Sequence, residues 1–192
     1  MYELPTSIKV NETVYPIREK GDYRMVLDCF NALNDLELPQ QERMLACLAI
    51  FLEDVHSIED VYKLPDTEEI CKEMMLFFNC GQPENGKKVS YRLIDWQKDE
   101  TLICSAINKV SGKEIRLEPY IHWWTFMGYY VAIGESSLAT VVSIRSKQSK
   151  NKKLEKHERQ FVNDNPQYFN WDRRTIEQIE EDNLIKSMWN KE

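Results

Sequence analysis

Three histidines, His56, His122 and His157, are the side chains of this sequence best suited to moving a proton near neutral pH. Catalysis would need one of them within reach of a nucleophile, a second base or a metal. His122 stands beside Trp123 and Trp124 with no serine, cysteine or aspartate signature around it, so it reads as a hydrogen-bonded histidine of the core. Glu53-Asp54-Val55-His56, with Glu59 and Asp60 close behind, offers carboxylate and imidazole ligands for a divalent ion. Its spacing matches no zinc pattern, and an acidic helix end followed by an acidic helix start explains it more simply. Asp95 and Asp99 lie four apart, as a general acid and base on one helix face would. A helix cap and a first-turn complement to the helix dipole account for both. The glycines stand singly, which leaves no phosphate-cradling loop. These readings predict no catalytic residue, no metal and no cofactor: a protein that is not an enzyme.

Two stretches suit binding better than chemistry. Arg145, Lys147, Lys150, Lys152 and Lys153 form a basic run that could touch phosphates, each contact adding a salt-dependent term. No aromatic interleaves it on which bases would stack, so the run reads as a solvated linker or a dock for an acidic surface. Residues 1–100 carry 11 Lys and Arg against 20 Asp and Glu, a net −9; residues 101–192 carry 14 against 12, a net +2. The acidic first half of a second copy would suit the basic run, which makes self-association a testable idea. With −7 overall, bulk attraction to nucleic acid or to an anionic membrane is not expected. The second stretch is the C-terminal end, where Ile176, Ile179, Leu184, Met188 and Trp189 make an apolar stripe among acidic residues. Such a stripe packs on its own domain or binds a partner chain as a helix in a groove, with Met188 and Trp189 as anchors.

The elements that must position these residues follow from periodicity. Residues 7–17 alternate around Asn11-Glu12, predicting a small N-terminal β-hairpin that has to lie on something larger. From Asp22 the period becomes helical, with Met25, Val26, Cys29, Phe30 and Leu33 on one face to about Leu36. Pro39 opens a helix whose inner face carries Met44, Cys47, Leu48, Phe51 and Leu52. Ser57–Lys63 has the Ser-x-x-Asp form of a capping box. Asp66 starts a helix with Ile70, Cys71, Met74, Phe77 and Phe78 inward, ended by Gly81. Gln82–Lys88 reads as a solvated loop. Asp95 is placed as the cap of a long helix bearing Trp96, Ile103, Ala106, Ile107 and Val110, closed by Gly112.

Tyr120–Val131 reads as the central helix, opened by Pro119 at its first position and ended by Gly134. Trp123, Trp124, Met127 and Tyr130 are its structural core, and little of its circumference is left for water. Ser136 or Ser137 caps a short helix with Leu138, Val141, Val142 and Ile144, and Asp172–Trp189 is a last amphipathic helix. The fold expected is mainly α, a multi-helix bundle around an aromatic-rich helix with a small N-terminal hairpin. Residues 1–165 form the helical domain and 166–192 the tail. Five cysteines without a CxxC pair suit a reducing cytosol, and no segment has the roughly 18–20 apolar residues a bilayer span needs. No secretory signal is visible at the N-terminus.

Leu4-Pro5, Ile8-Lys-Val10 and Tyr15-Pro-Ile17, then Asp95-Trp-Gln-Lys-Asp99, Ile121-His-Trp-Trp-Thr-Phe126 and Ser143-Ile-Arg145, resemble the bacteriophage "gene product fifteen" family over roughly residues 1–165. Where that family usually has Tyr-Arg, this sequence has Ile144-Arg145. The resemblance implies a small soluble protein of tailed phages or prophages of Gram-positive hosts, acting in the host cytoplasm and without established enzymatic activity. Reading frames of the family tend to lie between those of the major tail protein and the tape-measure protein. That neighbourhood is typical of tail-assembly chaperones, which hold the tape-measure protein before the tube polymerises. The function expected is therefore a non-enzymatic tail-assembly factor. The alternatives are a nucleic-acid-binding phage regulator using residues 145–156, or a structural tail component retained in the virion.

Overall fold

A computed structural model describes residues 3–35, 37–83, 93–171, 174, 175, 178 and 179. Two strands and eight α-helices are formed among them: β1 (Ser7–Val10), β2 (Thr13–Pro16), α1 (Tyr23–Leu33), α2 (Gln40–Phe51), α3 (Ile58–Val61), α4 (Thr67–Phe78), α5 (Glu100–Ser111), α6 (Trp123–Val131), α7 (Ser137–Ser149) and α8 (Lys156–Asp164). The chain forms two compact units, residues 1–86 with 118–128, and residues 87–117 with 129–192.

In the first unit, β1 and β2 pair antiparallel with Val10 opposite Thr13, so Asn11-Glu12 is the two-residue loop. Asn11 takes a left-handed conformation, which asparagine tolerates, and its amide donates to Asp66 Oδ2 at 2.9 Å. Ile8 and Val10 are buried and β1 packs on α4, which gives the hairpin the support it lacks alone. Asp22 caps α1 by accepting from the Arg24 backbone N–H. Ser57 caps α3 the same way, through the Asp60 N–H. α2 buries Leu45, Cys47, Leu48 and Phe51; Leu45 replaces the expected Met44, which is half-buried.

The predicted helix over Tyr120–Val131 is shorter than its periodicity indicated. Ile121 is held extended: its N–H donates to Asp22 Oδ2 and its carbonyl accepts from the Tyr23 N–H, both at 2.9 Å. That bridge keeps 120–122 out of the helix, so Pro119 is not its first residue. His122 supplies the cap instead, its Nδ1 accepting from the Trp124 N–H at 3.0 Å. Gly134 is not left-handed and does not close the helix, which ends at Val131. Nor is the helix apolar and buried all round. Trp123 and Phe126 are buried, Trp124, Met127 and Tyr130 half-buried, and Val131 is 77% exposed.

The first turn of α6 nonetheless organises the core of the first unit. The Trp123 ring lies 5.5 Å from Phe30 and 5.6 Å from Phe126, and Phe126 stacks on Tyr23 at 4.5 Å. Trp123 Nε1–H donates to the Phe78 carbonyl and Trp124 Nε1–H to that of Phe77, each at 2.9 Å. Two adjacent indoles thereby satisfy consecutive carbonyls at the C-terminal end of α4, where helix carbonyls lack intrahelical donors.

Between β2 and α1 the backbone makes a left-handed turn, with φ of 50° at Glu19, 54° at Lys20 and 79° at Gly21. Arg18 anchors it by donating to the carbonyls of Ala49, Ile50, Leu52 and Val55 around the end of α2. A Cβ on Gly21 would stand 2.8 Å from Phe77 Cζ and 3.2 Å from His122 Nε2. Gly21→Ala should therefore cost about 2–3 kcal/mol, combining a disfavoured backbone with overpacking. Gly112→Ala, equally left-handed but facing open space, should cost only about 1 kcal/mol. Urea titration of both variants checks the difference.

In the second unit, α5 buries Ile103, Cys104, Ala106 and Ile107. α7 runs thirteen residues, longer than the short helix expected, and is capped by Ser136. Val141, Ile144 and Phe169 form the buried centre, with Leu102, Leu154, Phe161, Val162 and Tyr168 packed against it. α8 starts on a capping box in which Glu155 and Glu158 exchange side-chain and backbone bonds.

Candidate functional site

Two buried polar centres, one in each unit, hold His122, Asp99 and Arg145, three of the residues singled out from the sequence. The first surrounds His122, which is 1% exposed. Its Nδ1 accepts from Trp124, so the ring proton sits on Nε2 and donates to the Pro5 carbonyl at 2.9 Å. Asp22 accepts from the N–H groups of Arg24 and Ile121 and pairs with the Arg24 guanidinium at 3.1 Å. Arg24 also donates to the Glu118 carbonyl at 2.7 Å. Every named bond of this centre joins two parts of the first unit.

Burial pushes the His122 pKa below its ordinary value, against weaker upward effects of the Pro5 carbonyl and Asp22. The unfolded chain therefore takes up this proton more readily than the folded one. The contribution is whole above the unfolded value of about 6.5 and is lost as the pH falls below it. Stability of the first unit should fall between pH 7.5 and 5.5 by at most about 1.4 kcal/mol per pH unit from this group. Urea midpoints at both pH values, compared with those of His122→Asn, isolate that share.

The second centre is an ion pair between Asp99, 0% exposed, and Arg145, 3% exposed. Arg145 Nη1 lies 2.5 Å from Asp99 Oδ2 and Nη2 lies 2.9 Å from Oδ1. The same guanidinium donates to the carbonyls of Leu93 and, through two N–H groups, Tyr168. Asp99 also accepts from the Asp95 backbone N–H at 3.0 Å. Burial, with Asp99 adding to it, raises the Tyr130 pKa in this unit. Asp95 does cap, but it caps the turn over 96–99, accepting from Gln97 and Lys98; α5 begins four residues later than expected, with Asp99 in the N-cap position.

Arg145 thus leaves the surface basic run in which its spacing placed it. Lys147 is only partly exposed and pairs with Glu158 at 2.6 Å, which holds that carboxyl below its usual range. Lys150, Lys152 and Lys153 are exposed. Of the C-terminal stripe, Ile179 is buried at 3% exposure, and Ile176, Leu184, Met188 and Trp189 lie outside the described residues, as do Leu36 and 84–88 of the expected loop. Thr175 and Gln178 exchange capping-box bonds of 2.9 and 3.2 Å; Asp172, where the last helix was expected to start, lies outside the described residues.

His56 is exposed, Glu53 accepts from the Glu19 N–H, and Asp60 is bonded to Ser57 and Lys63. Among the described residues no three of His, Cys, Asp and Glu are arranged to hold a metal ion. Cys29, Cys47 and Cys104 are buried and Cys71 and Cys80 half-buried, all as free thiols, and burial raises the pKa of the last three named. No helix of the described residues is long and apolar enough to cross a membrane.

The sequence blocks carrying the family resemblance are the ones these centres join: Pro5 to His122, and Asp99 to Arg145. Fold and site together define a mainly helical protein with a two-stranded N-terminal hairpin, whose central polar groups fasten its own segments. A family profile described as Bacteriophage Gp15 protein matches residues 1–170, and the chain belongs to that family. Comparison with curated proteins and with solved structures gives no match.

Proposed function

We propose that this phage protein is a non-catalytic assembly factor of the tail, which binds the tape-measure protein or another tail component through helical surfaces in the host cytoplasm. The observation that carries the reading is membership of the Gp15 family over residues 1–170, together with the gene neighbourhood which that resemblance implies. The polar centres support it. Each of Asp22, Arg24, Asp99, His122 and Arg145 makes bonds within its own unit, an arrangement suited to shaping a body more than to handling a substrate. A coiled-coil client exposes the apolar stripe that a helical holdase covers, and covering it delays premature association.

Co-expression with the tape-measure protein, followed by affinity capture, tests the proposal. A soluble complex is the expected result. An empty capture, with no more client in the soluble fraction than without the factor, overturns it. Mass spectrometry of purified particles separates a transient factor, absent from virions, from a retained tail component.

A further inference from the structure

Five cysteines and seven methionines stand in the 192 residues, and four of their sulfurs meet inside the first unit. Met25 and Cys29 lie one turn apart on α1, Cys47 comes from α2 and Met74 from α4. None of the four is more than 3% exposed. The Cys29 thiol donates to the Met25 thioether at 3.7 Å, and the Cys47 thiol to that of Met74 at 3.6 Å. The two thiols also interact with each other, and Cys29 Sγ lies 3.7 Å from the Cys47 carbonyl. Two free thiols and two thioethers from three helices therefore share one buried place.

We propose that Met25, Cys29, Cys47 and Met74 form a binding site for one soft monovalent cation, copper(I). Thiolate and thioether sulfurs select this ion over the hard cations that carboxylates hold. Bonds of about 2.3 Å from a tetrahedral centre set neighbouring sulfurs about 3.8 Å apart. The observed 3.6 and 3.7 Å need little adjustment to reach that. Each thiol already aims its proton at a thioether, and the cation takes that place between the same two sulfurs. Binding exchanges one thiol proton for the ion: Cu+ and Cys–SH give Cys–S–Cu and H+. The proton leaves to solvent and no electron is transferred. One thiolate neutralises the single positive charge, so the buried complex is uncharged, whereas a divalent ion would need both thiols ionised. Cys71 is half-buried three residues before Met74 on α4 and within electrostatic reach of Cys47, which gives an entering ion a first ligand at the edge.

Copper(I) delivered as its bicinchoninate complex to the reduced, full-length chain, without oxygen, tests the site. The chain should take one copper, read by the fading of the complex's colour and by native mass spectrometry as one copper gained for one proton lost. Its first unit should then unfold at higher urea, since the ion binds the folded cluster. Met25→Leu and Met74→Leu nearly conserve core volume and leave both thiols in place, so both variants should fold. Each should weaken copper binding by at least about tenfold, the least that even an outer-shell change costs. A Cys71→Ser, Cys80→Ser double variant should still take up one copper with wild-type affinity, because the half-buried thiols lie outside the set. X-ray absorption of the loaded wild type, which needs no variant, should show sulfur neighbours alone. The proposal is overturned by a wild type that takes no copper, by a leucine variant that binds as tightly as the wild type, by loss of the ion in the double serine variant, or by a nitrogen or oxygen ligand on the copper.

Discussion

Arg145→Met should destabilise the second unit by about 3–5 kcal/mol, the usual cost of leaving one partner of a buried ion pair alone. Asp99 would keep only the Asp95 N–H as a named donor in a site closed to water, and the carbonyls of Leu93 and Tyr168 would each lose the Arg145 donors. Asp99→Asn should fall in the same range. It strands a guanidinium against an amide that cannot neutralise it. The double variant Asp99→Asn with Arg145→Met should recover a substantial part of the loss, since no unpaired charge remains inside. Urea unfolding of the three variants, followed by circular dichroism, reads this directly. Single-variant losses under about 1 kcal/mol would mean the pair behaves as a surface bridge, contrary to its burial.

Trp123→Ala should cost the first unit about 3–5 kcal/mol, the range for removing a large aromatic from a packed core. The ring is 1% exposed, lies edge-on to Phe30 and stacks near Phe126, and its N–H satisfies the Phe78 carbonyl. Nothing nearby is disposed to fill the hole, because Phe126 is already stacked on Tyr23 and Phe78 on the far side meets Phe30 and Phe51. Trp123→Phe keeps most of the volume and gives up the hydrogen bond, so about 1–2 kcal/mol is expected. Trp124→Ala, from a half-buried position, should cost less than Trp123→Ala, because the Phe77 carbonyl that loses the indole still accepts from the Cys80 N–H at 3.0 Å. Denaturant midpoints for the three variants rank them. Equal losses at 123 and 124 would contradict the assignment of Trp123 to the core centre.

How legible these sites were depends on the reach of each signal. Ser57-Ile-Glu-Asp60 was readable because a cap and its turn are adjacent in the chain, and Thr67–Phe78 because Ile70, Met74, Phe77 and Phe78 repeat at helical spacing. Thr175-Ile-Glu-Gln178 carries the same kind of local signal, the Thr-x-x-Gln capping form, and the turn does begin there. Arg18 and Gly21 carry no such signal. Their roles come from carbonyls more than thirty residues away and from Phe77 and His122. Asp99 and Arg145 are each visible as charges, but local spacing makes them a first-turn complement to a helix dipole and a surface cation. Their true partner was the other, 46 residues distant.

The mainly helical class, the hairpin with its Asn11-Glu12 loop, the inward faces of α1 and α4, most of that of α2, and the family are all legible without coordinates. All of these are written in local periodicity, caps and short blocks, where the interacting residues are neighbours along the chain. Contacts across the fold are what hold Ile121 extended, let His122 and not Pro119 open the aromatic helix, and turn Arg145 inward. Each of those outcomes is set by a distant group that outbids the local preference: Asp22 for the Ile121 N–H, Pro5 for the imidazole, Asp99 for the guanidinium. A buried charge or donor takes the partner that removes it from water most completely, and that partner is found in space and not in sequence.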